Sequence, residues 1–136
     1  MNRRNKIQVI IINVFLFTAL YGLVTLNKEI LRPTLDSSNI LKVLTGCFPN
    51  FIAAYLISLA SVSAVLVRKP KRGRLIIYVS SIAIFIILMI EELKPIWGAS
   101  THYDSFDIIA SGVGSLLAMI TFEIIVFSRR KRYDQM

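Results

Sequence analysis

Four long apolar segments restrict the folds that this sequence can adopt. They lie at about residues 7–26, 48–67, 75–90 and 106–127, and the first three contain no charged residue. A helix that crosses the hydrocarbon core of a bilayer needs roughly 20 apolar residues, because each residue adds only about 1.5 Å to its length. The sequence therefore predicts a single all-α domain over residues 1–136, an integral membrane bundle of four transmembrane helices.

Composition favours lipid over water as the surroundings of this domain. Of the 136 residues, 55% are hydrophobic, which is more than a small soluble domain can bury in one core. The net charge of +8 would suit phosphate binding, but the basic residues stand in short runs beside the apolar segments, and no soluble module presents them to a groove. We therefore predict membrane lipids as partners and no nucleic acid.

The basic residues also predict how the helices are oriented, because short loops rich in Lys and Arg stay in the cytoplasm. Twelve of the 16 lie in the N-terminal segment, the loop between the second and third spans, and the C-terminal tail. The other four, Lys28, Arg32, Lys42 and Lys94, lie in two loops at about 27–47 and 91–105. We expect both termini to be cytoplasmic, in a multi-pass protein of the inner membrane whose first span is not cleaved.

Acidic residues gather around the second of these outward loops. Glu91 and Glu92 end the third span, Asp104 and Asp107 begin the fourth, and the single histidine, His102, lies among them. If the third and fourth helices are neighbours, these side chains meet at one membrane interface, where polar groups often mark function. We predict an outward acidic binding pocket there. The structural alternative is that the acids only cap a helix and favour its dipole.

The fourth span carries small and polar residues at helical spacing. Asp104, Asp107, Ser111, Gly114 and Ala118 follow one another at intervals of 3, 4, 3 and 4, which places them on one face. Ala110, Gly114 and Ala118 form a row of small residues, which lets membrane helices approach closely. We expect this face to be buried in the bundle, with Ser111 adding a hydroxyl to the acidic pocket.

Most catalytic arrangements are missing from the sequence. One histidine cannot build a bis-histidine haem or a multi-histidine zinc site, and no nucleophile-elbow or phosphate-loop motif occurs. The outward acids could supply oxygen ligands to Mg²⁺ or Ca²⁺, but their spacing matches no known loop, so the metal is left open. We predict no cofactor and favour a role other than catalysis. Glu123 stands apart and is expected to pair with the Arg129–Arg132 run or with a middle-loop arginine, or to snorkel to the interface. A proton relay is the functional alternative for this residue.

The segment from Glu91 to Gly114, EELKPIWGASTHYDSFDIIASGVG, resembles the core of VanZ-like membrane proteins, a family associated with teicoplanin resistance. The family pattern has an acid that closes one span, then Gln, Arg, two Asp three residues apart, Asn, and two Gly. Four positions correspond: the first acid is Glu91 or Glu92, the Asp pair is Asp104 and Asp107, and the first Gly is Gly114. The match covers roughly residues 91–118.

Four positions depart from that pattern. Lys94 stands for the Gln, Thr101 or His102 for the Arg, Ser111 for the Asn, and Ala118 for the second Gly. The absence of the Arg matters most, because a bidentate guanidinium would hold an anionic headgroup. At this segment, a cation or a structural hydrogen-bond network is therefore favoured over anion binding. The resemblance implies a bacterial envelope membrane protein and no defined reaction.

These observations lead to one main functional hypothesis and two alternatives. The main hypothesis is a protein that engages a lipid-linked or amphiphilic envelope molecule at the outer face of the bacterial cytoplasmic membrane. The acids would form the polar floor of its site, with Trp97 and Tyr103 at the interface. The alternatives are a small ion-coupled transporter and a structural or accessory subunit of a membrane complex. An oligomer or a protein partner is compatible with all three.

Overall fold

The computed structural model describes residues 3–35, 38–93 and 105–133, with side chains as far as residue 131. Its long helices are α1 (Arg3–Leu26), α3 (Asn39–Arg68), α4 (Gly73–Leu93) and α5 (Ser105–Tyr133). All four are long and apolar enough to cross a membrane, and the described residues contain no strand. The chain is thus an all-α, multi-pass membrane protein with four spans, as predicted.

The first span continues beyond its apolar part. After Leu26 the chain makes a π-helical turn, Asn27–Leu31, in which the Arg32 N–H bonds to the carbonyl of Asn27. A short helix α2 (Arg32–Thr34) follows, with Pro33 in its first turn, where a missing N–H does little harm. This end of α1 carries Asn27, whose side chain is fully buried.

The second span begins earlier than the apolar segment indicates. The Ser38 hydroxyl accepts a hydrogen bond from the Leu41 N–H at 3.2 Å and caps α3. Pro49, which stands near the start of the predicted apolar segment at 48–67, therefore lies inside α3. Most of the predicted outward loop at about 27–47 is helical, since residues 27–34 and 39–47 lie in helices. A search for about 20 apolar residues finds only the part of a helix that crosses the lipid. The helix itself can be longer, because its backbone hydrogen bonds continue beyond the apolar segment.

Helix α3 is the centre of the bundle. It contacts α1, α4 and α5, while α1, among the described residues, packs against α3 alone of the long helices. A core cluster joins the three inner helices through Val62, Val65, Ile77 and Phe122. Many large apolar side chains outside this cluster are exposed, with Phe15 and Phe127 at 71% and 69% exposure, as expected where lipid covers the protein.

Candidate functional site

Three of the four predicted acidic residues lie at one end of the bundle, which we call the acidic end. Glu91 and Glu92 occupy the last turn of α4, and Asp107 lies in the first turn of α5. All three are half-buried, and α4 packs against α5. Asp104 and His102, together with Trp97 and Tyr103, lie outside the described residues.

The small-residue face of α5 packs against α3. A Cβ atom on Gly114 would lie 2.4 Å from the Phe51 carbonyl oxygen and 3.0 Å from the Ala54 Cβ. Ala118 is fully buried and Ser111 is 2% exposed, whereas Ala110 is half-buried. Glycine at position 114 thus permits the close backbone approach that small residues provide in membrane helices.

Ser111 uses its hydroxyl locally. Its Oγ donates to the Asp107 carbonyl oxygen at 3.0 Å, one turn earlier in α5.

Because α3 and α5 run in the same direction, the contact of Gly114 with Phe51 fixes the register of the two helices. Asp107, seven residues before Gly114, therefore lies at about the level of Gly46 on α3.

A polar junction between α1 and α3 lies at the same end, and the sequence reasoning missed it. Pro49 has no N–H, so the carbonyl of Thr45, four residues earlier, lacks its helical donor. The Asn27 side chain supplies one instead, with Nδ2 at 2.8 Å from the Thr45 oxygen. Arg32 adds its Nε at 3.3 Å from the same oxygen and its Nη2 at 3.0 Å from the Gly46 oxygen.

This junction borders a polar cleft. The cleft has a volume of about 440 Å³ and is lined by Arg32, Pro33, Lys42, Thr45 and Gly46. Two hydrogen bonds from the guanidinium hold Arg32 at its edge. Since carbonyl oxygens carry no net charge, these two bonds orient the Arg32 guanidinium without neutralising its charge.

The described side chains form no evident metal centre. Among residues 3–35, 38–93 and 105–131, no group of three or more His, Cys, Asp and Glu side chains could hold a metal ion. Because Asp104 and His102 lie outside this set, the hypothesis of a Mg²⁺ or Ca²⁺ site at the acidic end stays a prediction.

Glu123 lies at the opposite end, near the basic segments at residues 3–6, 68–74 and 129–131, which we call the basic end. Its Oε2 lies 3.1 Å from Nη2 of Arg74, and its Oε1 accepts a hydrogen bond from the Tyr78 hydroxyl at 2.9 Å. Of the pairings expected for Glu123, the structure shows the one with an arginine of the middle loop. Both carboxylate oxygens thereby have partners.

Comparison with known proteins adds no relative. No family model matches the chain, and no curated protein or solved structure is significantly similar to it. The likeness to VanZ-like proteins therefore rests on the motif at residues 91–118 alone.

Proposed function

We propose that this protein binds a lipid-linked or amphiphilic envelope molecule at its acidic end, and that this end faces outward from the bacterial cytoplasmic membrane. The cleft beside Arg32 carries this proposal. It offers a positioned guanidinium to an anionic group. Arg32 thus supplies the guanidinium that the VanZ-like segment lacks.

The guanidinium has the donors that such a site needs. Arginine carries five N–H groups in a planar fork, and the bonds to Thr45 and Gly46 use two of them. The remaining donors can bind a phosphate or carboxylate, and Lys42 lines the same cleft. The packing of Gly114 against α3 brings Asp107 to the level of this cleft. The carboxylates of Glu91, Glu92, Asp104 and Asp107 would accept hydrogen bonds from hydroxyl or amino groups of the same molecule.

Native mass spectrometry of the detergent-purified protein tests this proposal. We expect the wild type to retain an amphiphile from the membrane, and a synthetic polyprenyl phosphate to replace it. Arg32→Gln and Asp107→Asn should both lose this ligand while staying folded. Lys28→Gln is the matched control, because it removes one exposed positive charge at the same end without touching the cleft.

Two results would contradict the proposal. One is that the folded Arg32→Gln variant retains as much polyprenyl phosphate as the wild type. The other is that Lys28→Gln reduces retention as strongly as Arg32→Gln does, which would make the effect one of net charge alone.

A role as an accessory subunit is the second candidate, and the position of α1 favours it. Val9 is the only buried residue of α1, and the helix packs against α3 alone of the long helices described. Such a helix leaves most of its surface to lipid or to another protein. In this case Asp107→Asn and Gly114→Leu would both lower stability, and neither would change any ligand signal.

A further inference from the structure

A second cavity lies at the basic end, away from the acidic-end cleft. It has a volume of about 350 Å³ and lies between the α3–α4 turn and the last turns of α5. Five cationic side chains line it: Lys69, Lys71, Arg72, Arg74 and Arg129. Its apolar wall consists of Val65, Leu66, Phe122 and Val126.

The apolar wall of this cavity is part of the protein core. Val65 and Phe122 belong to the core cluster and are 7% and 3% exposed, and Leu66 and Val126 pack against that cluster. The wall is therefore fixed by the same contacts that hold α3, α4 and α5 together. An acyl chain that lies along it meets a surface formed before binding, which lowers the entropic cost of association.

The backbone of the α3–α4 turn is fixed as well. Lys69 adopts a left-handed conformation with φ of 50°, and its N–H bonds to the Val65 carbonyl at 2.8 Å. The Gly73 N–H bonds to the Pro70 carbonyl at 3.1 Å. A Cβ on Gly73 would lie 2.8 Å from Val65 Cγ1, so glycine lets the turn close over the core. The cations of the turn are thus attached to an ordered frame.

The charges in this cavity are only partly neutralised. Arg74 is paired with Glu123, which is also bonded to Tyr78. Within the described part of the chain, no carboxylate forms an ion pair with Lys69, Lys71, Arg72 or Arg129. Four positive charges beside an apolar wall complement an anion that is attached to a hydrocarbon chain.

We infer that the basic-end cavity binds the phosphate headgroup of an anionic phospholipid, with an acyl chain along Leu66 and Val126. A general attraction of basic loops to acidic membranes needs no cavity and no apolar wall. Here both are present. The inference is independent of the function proposed for the acidic end.

The test uses the full chain in detergent, titrated by native mass spectrometry with phosphatidylglycerol, with phosphatidylcholine of the same acyl chains, and with inorganic phosphate. The wild type should retain phosphatidylglycerol in preference to phosphatidylcholine and should not retain inorganic phosphate. The double variant Arg72→Gln/Arg129→Gln should bind phosphatidylglycerol roughly 25-fold more weakly, since each cation near a lipid headgroup contributes about a fivefold gain.

The matched control is Arg3→Gln/Arg4→Gln, which removes two exposed charges at the same end outside the cavity. It should change phosphatidylglycerol affinity by less than about twofold, because long-range attraction is screened. An equal loss in both double variants would overturn the inference, as would equal retention of phosphatidylcholine. Binding of inorganic phosphate without a preference for the anionic lipid would overturn the assignment to a lipid.

Discussion

Replacing Gly114 by alanine should destabilise the bundle, although alanine is the better helix former. The added Cβ would lie 2.4 Å from the Phe51 carbonyl oxygen and 3.1 Å from the Tyr55 amide nitrogen. Both are backbone atoms of α3, so no side-chain rotation relieves the first contact. The two helices must separate by roughly half an ångström or more at this level, in an interior that is packed as densely as a crystal.

The size of the effect follows from two opposing contributions. Overpacking of a tight interior costs about 1–3 kcal/mol. Exchanging glycine for alanine within a helix stabilises by about 0.5–1 kcal/mol. We therefore expect Gly114→Ala to lower the free energy of unfolding by about 1 kcal/mol, and by at most about 2.5 kcal/mol. Gly22→Ala is the matched control, because nothing lies within 4 Å of its Cβ position in α1.

Unfolding by SDS in mixed micelles, followed by far-ultraviolet circular dichroism, measures this difference. Gly22→Ala should be as stable as the wild type or slightly more so, while Gly114→Ala unfolds at a lower SDS fraction. If Gly114→Ala is as stable as Gly22→Ala, then α3 and α5 do not approach as closely as described, and the register that places Asp107 at the level of Gly46 is wrong.

Two further predictions concern the polar groups at the two ends of the bundle. Asn27→Ala removes the Nδ2 donor from the buried Thr45 carbonyl and should lower the free energy of unfolding by about 1–2 kcal/mol. The loss should be smaller in a Pro49→Ala background, where the restored backbone N–H can bond to the Thr45 carbonyl. Additive effects of the two substitutions in SDS unfolding would refute this account of the junction. At the basic end, Arg74→Gln and Glu123→Gln should each change stability by less than about 1 kcal/mol, because the pair is largely exposed. A pH-driven ion flux into proteoliposomes that Glu123→Gln abolishes would instead identify Glu123 as a proton relay.

The sequence was sufficient to predict the number of spans, because each helix carries an apolar stretch of the required length. It did not predict the true start of α3, because Asn39 to Cys47 include polar residues that a hydropathy criterion assigns to a loop. The signal that could have corrected this is Ser38, which has the residue type and position of a helix cap. Local capping chemistry here extends a helix beyond the part that the bilayer requires.

The junction of Asn27, Arg32 and Thr45 shows why parts of the site escaped prediction. A proline within a span leaves the carbonyl four residues earlier without a helical donor, so Pro49 points to Thr45. Which side chain replaces that donor depends on the packing of α1 against α3, and no sequence periodicity encodes it. Arg32 was counted only as a loop charge, because its contacts with Thr45 and Gly46 are visible only in three dimensions.

The two arginines that line cavities at opposite ends of the bundle should differ in their effect on binding. Arg32 is held by carbonyl oxygens, which orient it and leave its charge intact. Arg74 is held by the Glu123 carboxylate, which cancels its charge at short range. Removing Arg32 therefore takes away much of the positive potential at the acidic-end cleft. Removing Arg74 has a smaller effect at the basic-end cavity, because four other cations remain there, although the Glu123 carboxylate loses its partner. Anion binding at the acidic end should depend most strongly on Arg32, and anion binding at the basic end should be shared among several cations.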